Sequence, residues 1–276
     1  MYSETDKTKA QLNMKKTFFV IAALAAALSL SSCLKDDSQD NSKFYANALV
    51  TVKHTPEGEF YLQVDDKTTA KPGNLTKSPF GDKQVRALAN ITDKGEYVPA
   101  GEGSAAFDRL VEVNWIDSIR TKDLVQTLGS REEDEKEWGD APIDVIANWV
   151  TILEDGYLTL AFSGLWGNPM ERHMISLVSG TDPENPYYLE LMHNPLNDRY
   201  DYGSAFEATG VIAFDLSSLP APDSDAKLTI HYKSLHFGEK TIYFDFPKPG
   251  DGKPAEASLQ TSNAALRSID RALKLD

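Results

Sequence analysis

The chain has 276 residues, 41% hydrophobic and 25% charged, a balance that excludes a disordered polymer and leaves room for one or two domains with real cores. Its formal net charge is -14, and removing residues 1–32, which hold Lys7, Lys9, Lys15, Lys16, Glu4 and Asp6, leaves about -16. So acidic a body repels phosphate backbones, so no nucleic acid partner is expected. Its one cysteine excludes an intramolecular disulfide and a cysteine-based zinc site.

The first elements are an address rather than a fold. Met14-Lys15-Lys16 and Thr17 precede an apolar run of 11 residues, 18–28, followed by Ser29-Leu30-Ser31-Ser32-Cys33. Such a run suits the apolar core of a secretory signal, about 7–15 residues, and falls short of the roughly 20 that a membrane-spanning helix needs. Leu30-Ser31-Ser32-Cys33 resembles the bacterial lipobox, in which the thiol accepts diacylglycerol and the cysteine becomes the new N-terminus. Lys35, Asp36 and Asp37 behind it resemble the signal that sends lipoproteins of Bacteroides-type bacteria to the exterior of the outer membrane. The expectation is a signal peptide with an N-terminal extension over 1–32, a lipidated tether over 33–43, and a body attached to the membrane through its lipid anchor. Residues 1–13 read as an over-long start or a tolerated extension.

The body reads as all-β. Residues 44–54 and 60–64 flank the turn cluster Thr55-Pro56-Glu57-Gly58 and form a hairpin. Alternating runs over 84–91 and 108–116 follow, separated by Pro/Gly/Lys-rich loops at 69–81 and 99–104, so that 44–130 reads as a small barrel or sandwich. Residues 131–141 are charged without an apolar period and read as an acidic linker or long loop. In 143–153, Ile143, Val145, Trp149 and Leu153 share one face of a strand, with Ile146, Val150 and Ile152 on the other. That predicts a central strand covered on both sides. Asp155-Gly156 predicts a tight turn into a returning strand from Leu158. Further strands are predicted at 173–178, 187–193, 209–216, 227–235 and 240–246, giving an antiparallel β-sandwich over 142–246. In the tail, 247–276, Leu266, Ile269 and Leu273 share a face and predict a C-terminal helix over 262–275.

The order of these segments resembles the NigD-like lipoproteins. The resemblance rests on the lipobox ending in Cys33, on Ile146-Ala147-Asn148-Trp149-Val150-Thr151 with Gly156-Tyr157-Leu158-Thr159-Leu160, and on Leu189-Glu190-Leu191-Met192-His193-Asn194. It rests also on Val211-Ile212-Ala213-Phe214-Asp215-Leu216-Ser217-Ser218-Leu219. It spans residues 44–246 and implies an OB-like N-terminal barrel followed by a C-terminal β-sandwich. The tail beyond Phe246 exceeds the family's pattern. The family takes its name from a bacteriocin-associated locus, and the resemblance assigns it no biochemical role.

Candidate sites are few. His173 alternates with Ile175 and Leu177, and His193 with Leu189 and Leu191, so both lie on apolar strand faces. They either meet as hydrogen-bonded core histidines or hold a metal between neighbouring strands, and the first reading is preferred, with no metal and no cofactor expected. His231 and His236 are five apart and fall on opposite faces of one strand, and His54 ends its strand. There is no Gly-x-Ser-x-Gly elbow, and Glu190, Asp215 and Asp245 show no pairing that would mark a glycosidase. No catalytic residue is therefore named. Exposed aromatics remain: Trp166, Tyr187, Tyr188, Tyr200 and Tyr202 lie in or beside loops, where a rigid sandwich could present them to a ligand. The expected role is non-catalytic binding of a glycan, peptide or protein partner at the outer membrane, facing the cell exterior. The alternatives are an immunity- or stress-linked envelope protein that binds a toxin or another envelope protein, and a hydrolase.

Overall fold

The computed structural model describes residues 45–95, 97–199, 203–248 and 274–275. The first structural layer is a five-stranded closed barrel. It comprises β1 (Tyr45–His54), β2 (Phe60–Gln63), β3 (Thr69–Pro72), β4 (Val85–Asp93) and β5 (Arg109–Ser118), in the order β1-β2-β3-β5-β4. All pairs are antiparallel except β3 with β5. Strict alternation sends Ala48, Val50 and Val52 of β1 and Ala87, Ala89 and Ile91 of β4 inward. A barrel this narrow has little interior volume, so four of its buried core residues are alanines: Ala48, Ala70, Ala87 and Ala89. Strand β3 lies where a loop was expected; its four residues are Thr-Ala-Lys-Pro, and only Ala70 carries an apolar alternation signal.

Residues beyond Ile119 already belong to the second layer. Strand β6 (Arg120–Asp123) pairs with β13 (Phe206–Asp215) and β7 (Val125–Gln126) with β11 (Arg172–Ser179), so the strands leave the barrel before residue 130. The charged run is then a helix, α1 (Arg131–Trp138), not a linker. Ser130 caps it by accepting from the Glu133 N–H while its hydroxyl donates to the Glu133 carboxylate. Helix α1 has almost no apolar face, so its ends carry the signal: the Ser130-x-x-Glu133 box at one and Gly139, at φ 86, at the other.

The sandwich is made of two sheets. One has the order β6-β13-β10-β8, where β8 is Ile143–Ile146, β10 Tyr157–Trp166 and β13 Phe206–Asp215; β9 (Ile152–Glu154) also pairs with β10. The other runs β15-β14-β12-β11-β16, with β11 at Arg172–Ser179, β12 at Tyr188–Asn194, β14 at Ala226–Ser234, β15 at Gly238–Phe246 and β16 at Lys274–Leu275. The expected single strand over 143–153 is thus two short ones. Asn148 Oδ1 accepts from the N–H groups of Val150 and Thr151 and breaks the ladder between them. The strand covered on both faces is β10 instead. Its Leu158, Leu160 and Phe162 enter the sandwich core, and its Ala161 packs toward the barrel. Asp155 (φ 52) and Gly156 (φ 80) form the expected tight turn, both with positive φ, which matches strand twist.

The sandwich is mixed rather than wholly antiparallel: β12 runs parallel to β14, and β6 to β13. From β12 the chain crosses to β13 in the opposite sheet and returns as β14, and two reversals restore its direction. The helix expected over 262–275 lies outside the described residues, apart from Lys274–Leu275, which pair in parallel with Arg172–His173.

Barrel and sandwich meet along β1 and β4 on one side and β9, β10 and β13 on the other. Leu49, Leu88 and Ile119 pack there with Ala161, Val211 and Ala213. At the centre Arg86 is fully buried. It donates to Thr51 Oγ1 (3.0 Å), to Thr159 Oγ1 (3.4 Å) and to the carboxylate of Glu154. Lys53 pairs with Asp155, and Gln84 donates to the Tyr157 hydroxyl at the edge of the same interface.

Candidate binding face and a buried histidine cluster

The two histidines on apolar strand faces do meet. In the β11–β12 register Ile175 stands opposite His193, which makes His173 and His193 diagonal neighbours on the inward face. His173 Nδ1 lies 2.8 Å from His193 Nε2, and His173 Nε2 lies 2.9 Å from Asp198 Oδ2. His193 Nδ1 lies 3.2 Å from the carbonyl oxygen of Pro142. Trp166, at the end of β10, lies across this pair with its ring stacked on His173, centroids 4.1 Å apart at 12°. Only glycine permits this: a Cβ on Gly164 would sit 2.7 Å from Trp166 Cζ3.

Burial dominates the electrostatics of this cluster. His193 is pushed down to about 4 by loss of solvent, and then by the neighbouring His173, against the pull of the Pro142 carbonyl. His173 is lowered by burial, opposed by the hydrogen bond and charge of Asp198 and by Glu171. Burial alone would raise Asp198. Hydrogen bonds from His173 and from the N–H groups of Gly167 and Asn168 outweigh it, and the carboxyl falls below its usual range. Both imidazoles are 0% exposed, so no substrate reaches them. Three of the four ring nitrogens are engaged along the Asp198–His173–His193 series and the fourth, His193 Nδ1, faces the Pro142 carbonyl oxygen, and among the described residues no group of three His, Cys, Asp or Glu side chains could hold a metal. The cluster is a hydrogen-bonded core network.

The aromatic candidates separate. Trp166 is 0% exposed, which removes it as a ligand platform: its ring fills the space that Gly164 opens above the histidines. Tyr187 packs against the sandwich core and meets Phe246 edge-on. Tyr188 faces outward and stacks on His231, centroids 6.2 Å apart at 22°. Tyr200 and Tyr202 lie outside the described residues, as do Cys33, Lys35, Asp36 and Asp37.

Around Tyr188 a polar and aromatic face emerges that the sequence did not single out. By register, Tyr188 and Glu190 of β12, Thr229 and His231 of β14, and Thr241 and Tyr243 of β15 share the outer face of their sheet. Arg131 reaches over it from α1, 3.7 Å from Glu190 and 3.6 Å from Glu239, and His231 Nε2 lies 3.3 Å from Glu239. Burial raises Tyr188. The depression between these groups holds only about 20 Å³, roughly one water's worth. The face is therefore a surface for contact, not a pocket. Among the described residues it ends at β15, the last strand of its sheet, where Tyr243 is 62% exposed and Phe237, just before the strand, 71%. Lys240 Nζ sits 4.6 Å above the Phe237 ring. His236 lies in the turn beyond β14, so the two outer histidines do not share a strand.

The barrel carries an open cleft of about 370 Å³ lined by His54, Phe60, Lys77 and Asp82 among others. Within its lining Lys71 pairs with Glu59, which also accepts from Ser104 Oγ at 2.8 Å.

Comparison with known proteins follows the same division. Residues 49–119 match the NigD-like N-terminal OB domain, and residues 126–246 match the NigD-like C-terminal beta sandwich domain. Among solved structures, a toxin-related protein from Parabacteroides distasonis shares 27% identity at a TM-score of 0.57, covering 74% of this chain and 94% of its own. A Bacteroides vulgatus protein of unknown function shares 16% identity at a TM-score of 0.59, over 82% of this chain and 100% of its own. A NigD-like immunity protein from Bacteroides caccae shares 17% identity at a TM-score of 0.46, over 71% and 90% respectively. No curated protein matches the chain.

Proposed function

This chain belongs to the NigD-like family, and from that premise we propose that it is a lipid-anchored envelope protein that binds an extended protein segment by non-catalytic contact. The observation that carries this reading is the outer face of β12, β14 and β15 ending in a long terminal strand. Among the described residues no strand pairs with the outer side of β15, and such an edge of nine residues is a template for strand addition unless it is blunted. Here the outward row includes the exposed Tyr243 rather than charge alone, and Phe237 stands at its start. Backbone ladder bonds would supply affinity, and Tyr243, Tyr188 and His231 would read the added segment's side chains. The likeness to a toxin-related protein and the family's sandwich support a role in contact rather than chemistry.

The lipobox at Cys33 and the acidic residues behind it support attachment at the outer membrane, facing the exterior. Firm anchoring follows from two or more acyl chains, where one alone would be marginal.

Panning random displayed peptides against the body, with amide hydrogen exchange as the readout, tests the binding surface. Selected peptides are expected to protect the β15 amides, and Tyr243→Asp to abolish binding without unfolding. Selection of peptides that leave β15 unprotected, or binding only on a parallel glycan array, overturns the reading.

A further inference from the structure

The buried cluster has a proton count that its neighbours fix. Three gaps run in series from Asp198 to His173, from His173 to His193, and from His193 to the Pro142 carbonyl. A gap is a hydrogen bond only if one proton lies in it, and two neutral imidazoles carry two protons between them. With an ionised Asp198 one gap is therefore short of a proton. The carboxylate is the strongest acceptor in the series, so it draws the first proton to His173 Nε2. That leaves His173 Nδ1 as an acceptor and places the second proton on His193 Nε2. The separations run in the same order: 2.9 and 2.8 Å at the two gaps to which this count assigns protons, and 3.2 Å at the third.

We propose that the His193 Nδ1–Pro142 carbonyl gap is a proton-binding site. It stands empty at neutral pH, and on acidification it takes up one proton that binds the 139–142 segment to β12. That segment has little freedom to respond in any other way. The Ala141 N–H donates to the His193 carbonyl at 3.0 Å, and Gly139, at φ 86, lies so close that a Cβ there would be 2.4 Å from the same oxygen. It also leads directly to the outer face: Gly139 closes α1, which carries Arg131, and Asp140 pairs with Lys233 of β14 at 3.0 Å. Proton uptake in the core is thus connected, through four residues, to the groups that clamp Glu190 and Glu239.

The charged and titratable groups acting on the site come from each element around it. Asp198 contributes from its loop and Glu171 from the turn before β11, and each histidine acts on the other. Strand β10 offers Trp166, which does not titrate; β14, paired with β12, carries the inward Tyr232, and Asp144 of β8, two residues after Pro142, accepts from Ser234. Arg172 alternates to the opposite face of β11, and the Asp140–Lys233 pair lies at the surface of the 139–142 segment. Burial opposes the extra proton, so uptake falls well below neutrality.

Long-range proton–nitrogen correlation on the protein with 15N-labelled histidine tests this directly, titrated from neutral pH to about pH 4. At neutral pH both Nε2 atoms are expected to be protonated and His193 Nδ1 bare; on acidification that nitrogen gains a proton, and the amides of Ala141 and Ile143 move at the same midpoint. A protonated His193 Nδ1 or an imidazolium at neutral pH overturns the proposal, as does an unfolding that precedes the titration. In His193→Gln the shared midpoint should vanish from the Ala141 amide while the near-UV signal of the packed tryptophan persists. Persistence of that midpoint contradicts the assignment, and if this variant fails to fold the wild-type tautomer decides.

Discussion

At position 164 a methyl group has nowhere to go. The Cβ of Gly164→Ala would meet the Trp166 ring at 2.7 Å, and that ring is held between Phe162 and the two histidines. Moving it means moving the core, so a loss of about 1–3 kcal/mol is expected, read as a lower urea midpoint at unchanged slope. The histidines set a pH window. Folding holds both below the ordinary value of 6.5, so the native state binds fewer protons than the unfolded chain once the pH drops under that value. Stability is complete above it and declines as the pH falls toward about 4, the level of His193. For His193 alone the depression corresponds to on the order of 3 kcal/mol. Asp198, lowered by folding, acts in the same direction at still lower pH. Urea midpoints at neutral pH and near pH 4.5 measure the sum, and His193→Gln should flatten the dependence; a stability unchanged over that interval contradicts it.

Among the elements, those with an alternating apolar pattern were legible and those held by polar ends were not. Strands β10 to β15 follow from runs such as Tyr157–Trp166, where every second side chain enters the core. The approach of His173 to His193 was legible for the same reason: His173 alternates with Ile175 and Leu177, and His193 with Leu189 and Leu191, on inward faces. Helix α1 escaped because its run of charges has no apolar stripe. The signal was its capping box, and its one buried side chain, Asp134, accepts from Thr127 Oγ1 and the Leu128 N–H instead of packing in a core. Trp166 was misread as a loop aromatic because its strand runs to residue 166, which no alternation beyond Phe162 announces. Ser130→Ala removes the cap of α1 and should cost about 0.5–2 kcal/mol. It should also raise amide exchange across Arg131–Trp138, while exchange in β10 stays unchanged.

Over the whole molecule the decisive feature is the join between barrel and sandwich. Sequence patterning separates two β domains, and pairing in space shows how the chain joins them: β6 and β7 extend straight from the barrel into both sheets of the sandwich. Arg86 is invisible to any pattern analysis. It occupies an outward position of β4, alternating with core alanines, and becomes buried only because another domain covers it. Arg86→Met leaves the Glu154 carboxylate buried without its cation, which costs about 3–5 kcal/mol. Pairing that change with Glu154→Leu should recover most of the loss, and a double-mutant cycle of urea midpoints measures the coupling. The face of Tyr188, His231 and Tyr243 lies apart from this join, on three paired strands of one sheet.

The proposed reading places the body outside the cell, and that rests on Cys33. Mass spectrometry of the N-terminal peptide, recovered from a membrane fraction after protease treatment of intact cells, addresses it most directly. The predicted result is an acylated Cys33 as the first residue, with the body removed by external protease. A product that retains residues 14–32, or an unacylated cysteine on a body that protease cannot reach, would contradict it.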